Sequence, residues 1–228
     1  MITSRRGTRP FPLPRPLPLP RRRHLPEAAV WTAVALAAGA ALWAPSDTDP
    51  DLSPLSLTIS DFAALDRGGP IDASMALLGV VSLVLLGAAR RRLDAVRGLP
   101  SVLLALWGLG LLVAAAVPTD PLVTDLGGPA YVHRYASVLA FLALPTAGLL
   151  LARRLGVDPG AVRTARLLRG LSWAALIGAA VMAYLAGPGH RELIGLVERL
   201  LLGCEVVLLG VLARPVVRAG AGRGPGAG

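Results

Sequence analysis

"GLVERLLLGCEVVLLG", residues Gly195–Gly210, decides what kind of molecule this chain forms. The run is apolar and about as long as a membrane helix, yet it carries Glu198, Arg199 and Glu205. At 3.6 residues per turn, Gly195, Glu198, Leu202, Glu205 and Leu209 fall on one face. If the helix enters the membrane near Leu193, a rise of 1.5 Å per residue puts Glu198 about 7 to 8 Å in and Glu205 about 18 Å in, near the midplane. A charge there costs at least about 2.5 kcal/mol by insertion scales. Two acids on one stripe therefore predict a helix that turns this face toward protein. That requires a bundle.

The rest of the chain supplies the bundle. Of its 228 residues 54% are hydrophobic, with a mean hydropathy of +0.62, too apolar for a soluble domain of this size to cover its own surface. Six apolar segments are expected as spans: Glu27–Ala44, Ala73–Ala89, Leu99–Val117, Tyr131–Ala152, Gly170–Gly187 and Leu193–Ala213. Each has roughly the 17 to 25 residues that cross a hydrocarbon core of about 30 Å. The first is read as a retained helix, since the long proline tail before it does not suit a signal peptide and no clean small-x-small cleavage site immediately precedes Pro45. The expected fold is thus all-α, a polytopic bundle of six transmembrane helices over residues 27–213. A Pro- and Arg-rich disordered tail (1–26) and a short disordered tail (214–228) flank it.

Arginine sets the orientation. The chain has 23 basic residues, all Arg. Nineteen fall in the N-terminal tail, Arg90–Arg97, Arg153–Arg169 and the C-terminal end, while the opposite side holds Arg67, Arg134, Arg191 and Arg199. The positive-inside rule places both termini in the cytoplasm of a cell-membrane protein. The net charge of +9 is then directed at anionic lipid of the cytoplasmic leaflet rather than at nucleic acid.

Polar residues gather at the opposite, outer ends of the spans. The first outer loop, "SPLSLTISDFAALDRGGP" (Ser53–Pro70), is too apolar for a free loop and is expected to fold back on the mouth of the bundle. Ser60 or Asp61 would cap a short helix over "FAALD". Asp120 follows the third span, and His133 starts the fourth. Arg199 points about 100° from Glu198 and is expected to snorkel to the outer interface. Asp61, Asp120, His133, Glu198 and Arg199 are thereby expected to converge. The expected use is a site for an ion, a small ligand or a lipid headgroup. Two alternatives stand beside it: an enzyme acting on lipid, with His133 and a carboxylate as acid and base, and a structural network within a partner of other membrane proteins.

Other chemistries find no support. Cys204 is the single cysteine, so no intramolecular disulfide or thiolate cluster forms. The three histidines, His24, His133 and His190, do not make a transmembrane haem pair. There is no GxxxxGK[ST] loop, GxSxG elbow or HExxH helix, and no cofactor is expected.

Four stretches taken together resemble a known family: "SPLSLTISDFAA", "GLGLLVAAAVPTDP", "YVHRYASVLAFLALPTAGLLLARRL" and "GLVERLLLGCEVVLLG". Their order and spacing, from about Val30 to Ala213, are similar to the bacterial and archaeal membrane family catalogued as domain of unknown function 998. The resemblance implies a six-helix multipass protein. It also implies a shared outer cluster: a Ser-Asp pair at Ser60 and Asp61, an acid at Asp120, a histidine at His133 and a Glu-Arg pair at Glu198 and Arg199. Glu205 is not part of that pattern. The resemblance implies no activity.

Overall fold

The computed structural model describes residues 55–65, 69–117 and 128–221, with single positions at 35, 39, 53 and 119. Every regular element among them is helical. A short helix α1 (Ile59–Leu65) is followed by five long ones: α2 (Pro70–Arg92), α3 (Leu99–Ala116), α4 (Gly128–Leu155), α5 (Val162–Ala186) and α6 (Ile194–Ala221). The expected first span, Glu27–Ala44, lies outside the described residues except at positions 35 and 39, as do Asp120, all of the expected tail 1–26 and residues 222–228, whereas 214–221, expected as a disordered tail, continue α6.

The remaining five expected spans correspond to α2 through α6. Among the described residues four segments are long and apolar enough to cross a membrane: Pro70–Arg92, Leu99–Ala116, Gly128–Leu155 and Pro159–Ala186. The chain is a multipass membrane protein of all-helical class. With 28 residues, α6 is long enough, but Glu198, Arg199 and Glu205 in its outer half set it apart from those four. It also continues to Ala221, past the expected end of the span at Ala213.

Local chemistry explains the helix boundaries. Pro70 opens α2 in the first turn, where its missing N–H costs nothing, and Arg90, Arg91 and Arg92 close it against the negative end of the helix dipole. The turn into α3 needs Gly98, with φ of 76°. Arg154, near the end of α4, ties this turn down by donating to the carbonyls of Ala95 (2.9 Å) and Arg97 (2.6 Å). Asp158 caps the turn before α5 by accepting from the Gly160 N–H.

Consecutive helices pack side by side, and α6 closes the bundle by touching α2 and α4 as well as α5. Small residues permit the close approach, as expected for helices in lipid. A Cβ on Gly79 of α2 would stand 2.8 Å from the Gly108 carbonyl of α3, and one on Gly110 would stand 2.9 Å from the Ala136 carbonyl of α4. Gly178 meets Leu201 across the α5–α6 contact. Gly203 has nothing described within 4 Å. Trp107 is fully buried at the centre, and its indole N–H donates to Ser82 on α2 (3.0 Å). The outward faces are apolar, as with Trp173, Ile177 and Val181 on α5 and Leu200 and Val207 on α6. The acid stripe faces in: Gly195, Glu198, Leu202, Glu205 and Leu209 are all buried.

Candidate functional site

The site is built where the Leu55–Leu65 segment, expected as part of the first outer loop, meets α4 and α6. Leu55, Leu57, Ile59 and Phe62 alternate with polar residues, and the segment folds back so that Leu57, Ile59 and Phe62 are buried while Leu55 stays exposed. A Thr-x-x-Asp box starts α1. Thr58 Oγ1 accepts from the Asp61 N–H (3.0 Å), and Asp61 Oδ2 accepts from both the Thr58 N–H (2.9 Å) and the Thr58 hydroxyl (2.8 Å). This corrects the expected cap. Thr58 is the N-cap residue, and Asp61 is its partner three residues on. Ser60 serves neither role.

The segment is fastened to α6 mainly through its own backbone. The Leu55 carbonyl accepts from the N–H groups of Gly195 (3.0 Å) and Leu196 (3.2 Å), two donors of the first turn of α6 that have no acceptor within their own helix. Glu198 Oε2 accepts from the Ile59 N–H. Arg199 Nη1 donates to the Leu57 carbonyl (3.0 Å) and to the Gly195 carbonyl (2.9 Å), and its guanidinium lies 5.5 Å from the centre of the Phe62 ring. Arg199 is therefore held on the returning loop rather than simply extended toward the interface. Adjacent residues of opposite charge read adjacent backbone groups of opposite polarity: the acid takes a donor and the base takes an acceptor.

The second fastening is on α4. His133 is buried, with Nδ1 3.0 Å from the Val117 carbonyl and Nε2 3.2 Å from Ser60 Oγ. A carbonyl only accepts, so the hydrogen on this ring belongs to Nδ1. In the neutral ring, Nε2 then accepts from the Ser60 hydroxyl. His133 thus links the end of α3, the start of α4 and α1.

Five of the six residues singled out in the sequence, namely Ser60, Asp61, His133, Glu198 and Arg199, meet in this one cluster; Asp120 lies outside the described residues. The sequence reading missed Thr58, which the spacing of the capping box would have revealed. It also missed Arg191, whose Nη2 sits 2.8 Å from Asp61 Oδ2. No local pattern marks a partner 130 positions away. With 42% of the Arg191 side chain exposed, solvent screening holds this ion pair to about 1 kcal/mol or less. Arg191 is set by a turn between α5 and α6 in which His190, Arg191 and Leu193 all have positive φ, at 51°, 63° and 59°.

Beneath α1 lies a cavity of about 30 Å³, enough for one or two water molecules. Its polar lining is Ser60, Ser74, Ser137 and Glu198, set among apolar residues such as Leu78 and Phe141. Among the described residues, no three His, Cys, Asp or Glu side chains come together as metal ligands.

Residues 28–215 match the family described as protein of unknown function DUF998. The chain belongs to that family. The match extends over all five long helices down to the start of the last turns of α6, so the outer cluster lies within the region that defines membership. No curated protein and no solved structure matches the chain.

Proposed function

We propose that this protein crosses the cytoplasmic membrane six times, with both termini in the cytoplasm, and that its outer mouth binds a small cation or a similarly small polar ligand under α1. The sixth span lies over Glu27–Ala44, with tails over 1–26 and 222–228. The arginines at the far end of the bundle, among them Arg90–Arg92, Arg153, Arg154, Arg163, Arg166 and Arg169, face anionic lipid. One observation carries the ligand reading: a buried carboxylic residue, Glu198, lines a water-sized cavity together with Ser60, Ser74 and Ser137. In this reading Ser60 and Glu198 line the site. Asp61, His133 and Arg199 hold its roof, and Asp120 adds a second acid at the mouth.

The test uses the full-length protein in nanodiscs, melted in the presence of Li⁺, Na⁺, K⁺ and Mg²⁺ in turn. A cation held at a hundred times its Kd raises stability by about 2.7 kcal/mol. Wild type gains a cation-specific rise in Tm, and Glu198→Gln, while still folded, loses it. If no cation shifts the wild-type Tm, the ligand reading fails and the cluster is a structural fastener.

A second reading, acyl chemistry on a lipid ester, is favoured by one contact. Ser60 Oγ faces Nε2 of His133, whose other nitrogen is fixed by the Val117 carbonyl. A serine hydroxyl hydrogen-bonded to an oriented imidazole is the arrangement that activates a nucleophile. A fluorophosphonate probe that labels Ser60 in wild type, but not in His133→Gln, supports this reading; absence of label removes it.

A further inference from the structure

Glu205 is fully buried, and neither of its carboxyl oxygens has a hydrogen-bond partner among the described residues. It is the largest polar side chain in the protein buried to this degree. Ser172 of α5 is also fully buried, with its hydroxyl likewise unmatched, and it stands in the same α4–α5–α6 packing. A Cβ on Gly148 of α4 would meet both Ser172 Oγ and Leu208, which is one turn from Glu205. An ionised carboxyl at this depth costs at least about 2.5 kcal/mol. The neutral acid avoids that but leaves a donor and its acceptors unmet, at about 1 to 3 kcal/mol for each buried group. A purely structural position would favour leucine. Unmatched buried polar groups call for an explanation, and water or an ion is the usual one.

The surroundings supply it. The outer cavity is lined on α6 by Glu198 and Leu202, and a second cavity, of about 20 Å³, is lined on α6 by Leu209 and Leu212. Both are walled by the same neighbours. Helix α2 gives Ser74 and Leu78 to the first and Ser82 and Leu85 to the second, while α3 and α4 contribute to each. Glu205 sits on the same face of α6 between them, about 4.5 Å along the axis from Leu202 and 6 Å from Leu209. By volume each cavity has room for water; the outer one offers it Ser60, Ser74, Ser137 and Glu198, the inner one Ser82, and Glu205 stands between the two linings rather than in either. The bundle thus holds an acid between two water-sized spaces, one opening under α1 and one lying toward the arginine-rich end.

No charge competes for it. On the elements that touch α6, the described titratable residues stand at the outer or inner ends: Asp61 on α1; Asp72 and Arg90–Arg92 on α2; Tyr131, His133, Arg134, Tyr135, Arg153 and Arg154 on α4; Arg163, Arg166, Arg169 and Tyr184 on α5. On α6 itself Cys204 is adjacent in sequence, Arg199 and Glu198 stand about 9 and 10.5 Å away along the axis in one direction, and Arg214 about 13.5 Å away in the other.

We propose that Glu205 is a proton-binding site on an axial path through the bundle, exchanging its proton through the outer cavity at Glu198 and through the inner cavity at Leu209 and Leu212. The Glu205 acid gives its proton to water in one cavity and is left as the carboxylate. Water in the other cavity returns a proton to it. No other bond changes. On the outer side, Glu198 is the next group able to take the proton.

The test is made on the full chain reconstituted in vesicles of neutral lipid. Infrared difference spectra of wild type against Glu205→Gln isolate the carboxyl band of Glu205. That band shifts on transfer into D₂O as fast as the vesicles are exchanged, and Ser137→Leu, which fills the outer cavity, slows the shift at least tenfold. With a pH dye trapped inside, wild-type vesicles dissipate an imposed pH gradient several-fold faster than empty vesicles, and Glu205→Gln vesicles match the empty ones. Glu205→Leu melts no lower than wild type, which shows that lost flux is not lost folding. A Glu205 band that stays unshifted for hours in D₂O, or wild-type flux equal to that of empty vesicles, overturns the proposal. Either failure leaves the cation-dependent melting at Glu198 unaffected, so this site and the mouth are judged separately.

Discussion

The carboxylate of Glu198 accepts the backbone N–H of Ile59, a residue 139 positions earlier, and so holds the start of α1 on the last helix. An acid at the first turn of a helix also meets the positive end of that helix's dipole. Removing it leaves a buried N–H without an acceptor. Glu198→Ala is expected to lower stability by about 2 to 3 kcal/mol, and Glu198→Gln, whose amide oxygen still accepts, by about 1 kcal/mol. Thermal unfolding in nanodiscs measures both. Equal losses in the two variants would show that the contact to Ile59 does not set the cost.

Ser60 and His133 act as one unit in the same fastening. His133→Ala is expected to cost about 1 to 3 kcal/mol, because it leaves the Val117 carbonyl and the Ser60 hydroxyl without their partner. Ser60→Ala in that background then adds little. A double-mutant cycle should return a coupling of about 0.5 to 1.5 kcal/mol. Strict additivity would mean that the two side chains do not interact.

The glycines separate packing from permissiveness. A Cβ on Gly148 would come within 2.2 Å of Ser172 Oγ, so Gly148→Ala should destabilise by about 1 to 3 kcal/mol. Ser172→Ala removes the clashing oxygen and should restore most of that loss. Gly203→Ala meets nothing described within 4 Å and should be neutral, or stabilising by up to about 1 kcal/mol through helix propensity. Melting temperatures of the three variants decide.

The α5–α6 turn carries strain at a position that can be relieved. Leu193 has φ of 59° and is half exposed, and an L-residue in this region costs about 1 to 2 kcal/mol. Leu193→Gly is expected to leave stability unchanged or raise it by up to about 1 kcal/mol, despite the greater freedom of the unfolded chain. A clear fall in Tm would show that the leucine side chain contributes more than its backbone conformation costs.

The topology is testable with single cysteines in a Cys204→Ala background. Leu55 and Val157 are both exposed and lie at opposite ends of the bundle. In intact cells a membrane-impermeant maleimide is expected to label Leu55→Cys and to spare Val157→Cys until the membrane is opened. The reverse pattern would invert the orientation read from the arginines.

Much of the fold was legible because membrane helices are constrained by two simple quantities, length and apolarity, and the segments of α2 through α5 satisfy both. The inward face of α6 was legible because two acids in one stripe leave few other choices. The attachments of the outer loop were not. Leu55 and Leu57 act through their carbonyls and Ile59 acts through its N–H, and every residue has these groups. Sequence marks the side chains that reach for the backbone, Glu198 and Arg199, but not their targets. Thr58 was readable and was misassigned, since Ser60 and Asp61 are also good capping residues and only the three-residue spacing distinguishes them. Arg191 depends on a turn with three positive φ angles at residues that seldom adopt them, and no local rule anticipates it.

The 139-residue separation between Ile59 and Glu198 also bears on biosynthesis. At about 5 to 20 residues per second, some 7 to 28 s pass between the synthesis of the two. Throughout that interval the Leu55–Leu65 segment has been made but can be held only in part, by Ser60 on His133, because Leu55, Leu57 and Ile59 all attach to the final helix. Full seating of this segment therefore comes only at the end of insertion, and a chain interrupted before α6 would leave the Leu55 and Leu57 carbonyls and the Ile59 N–H without their partners.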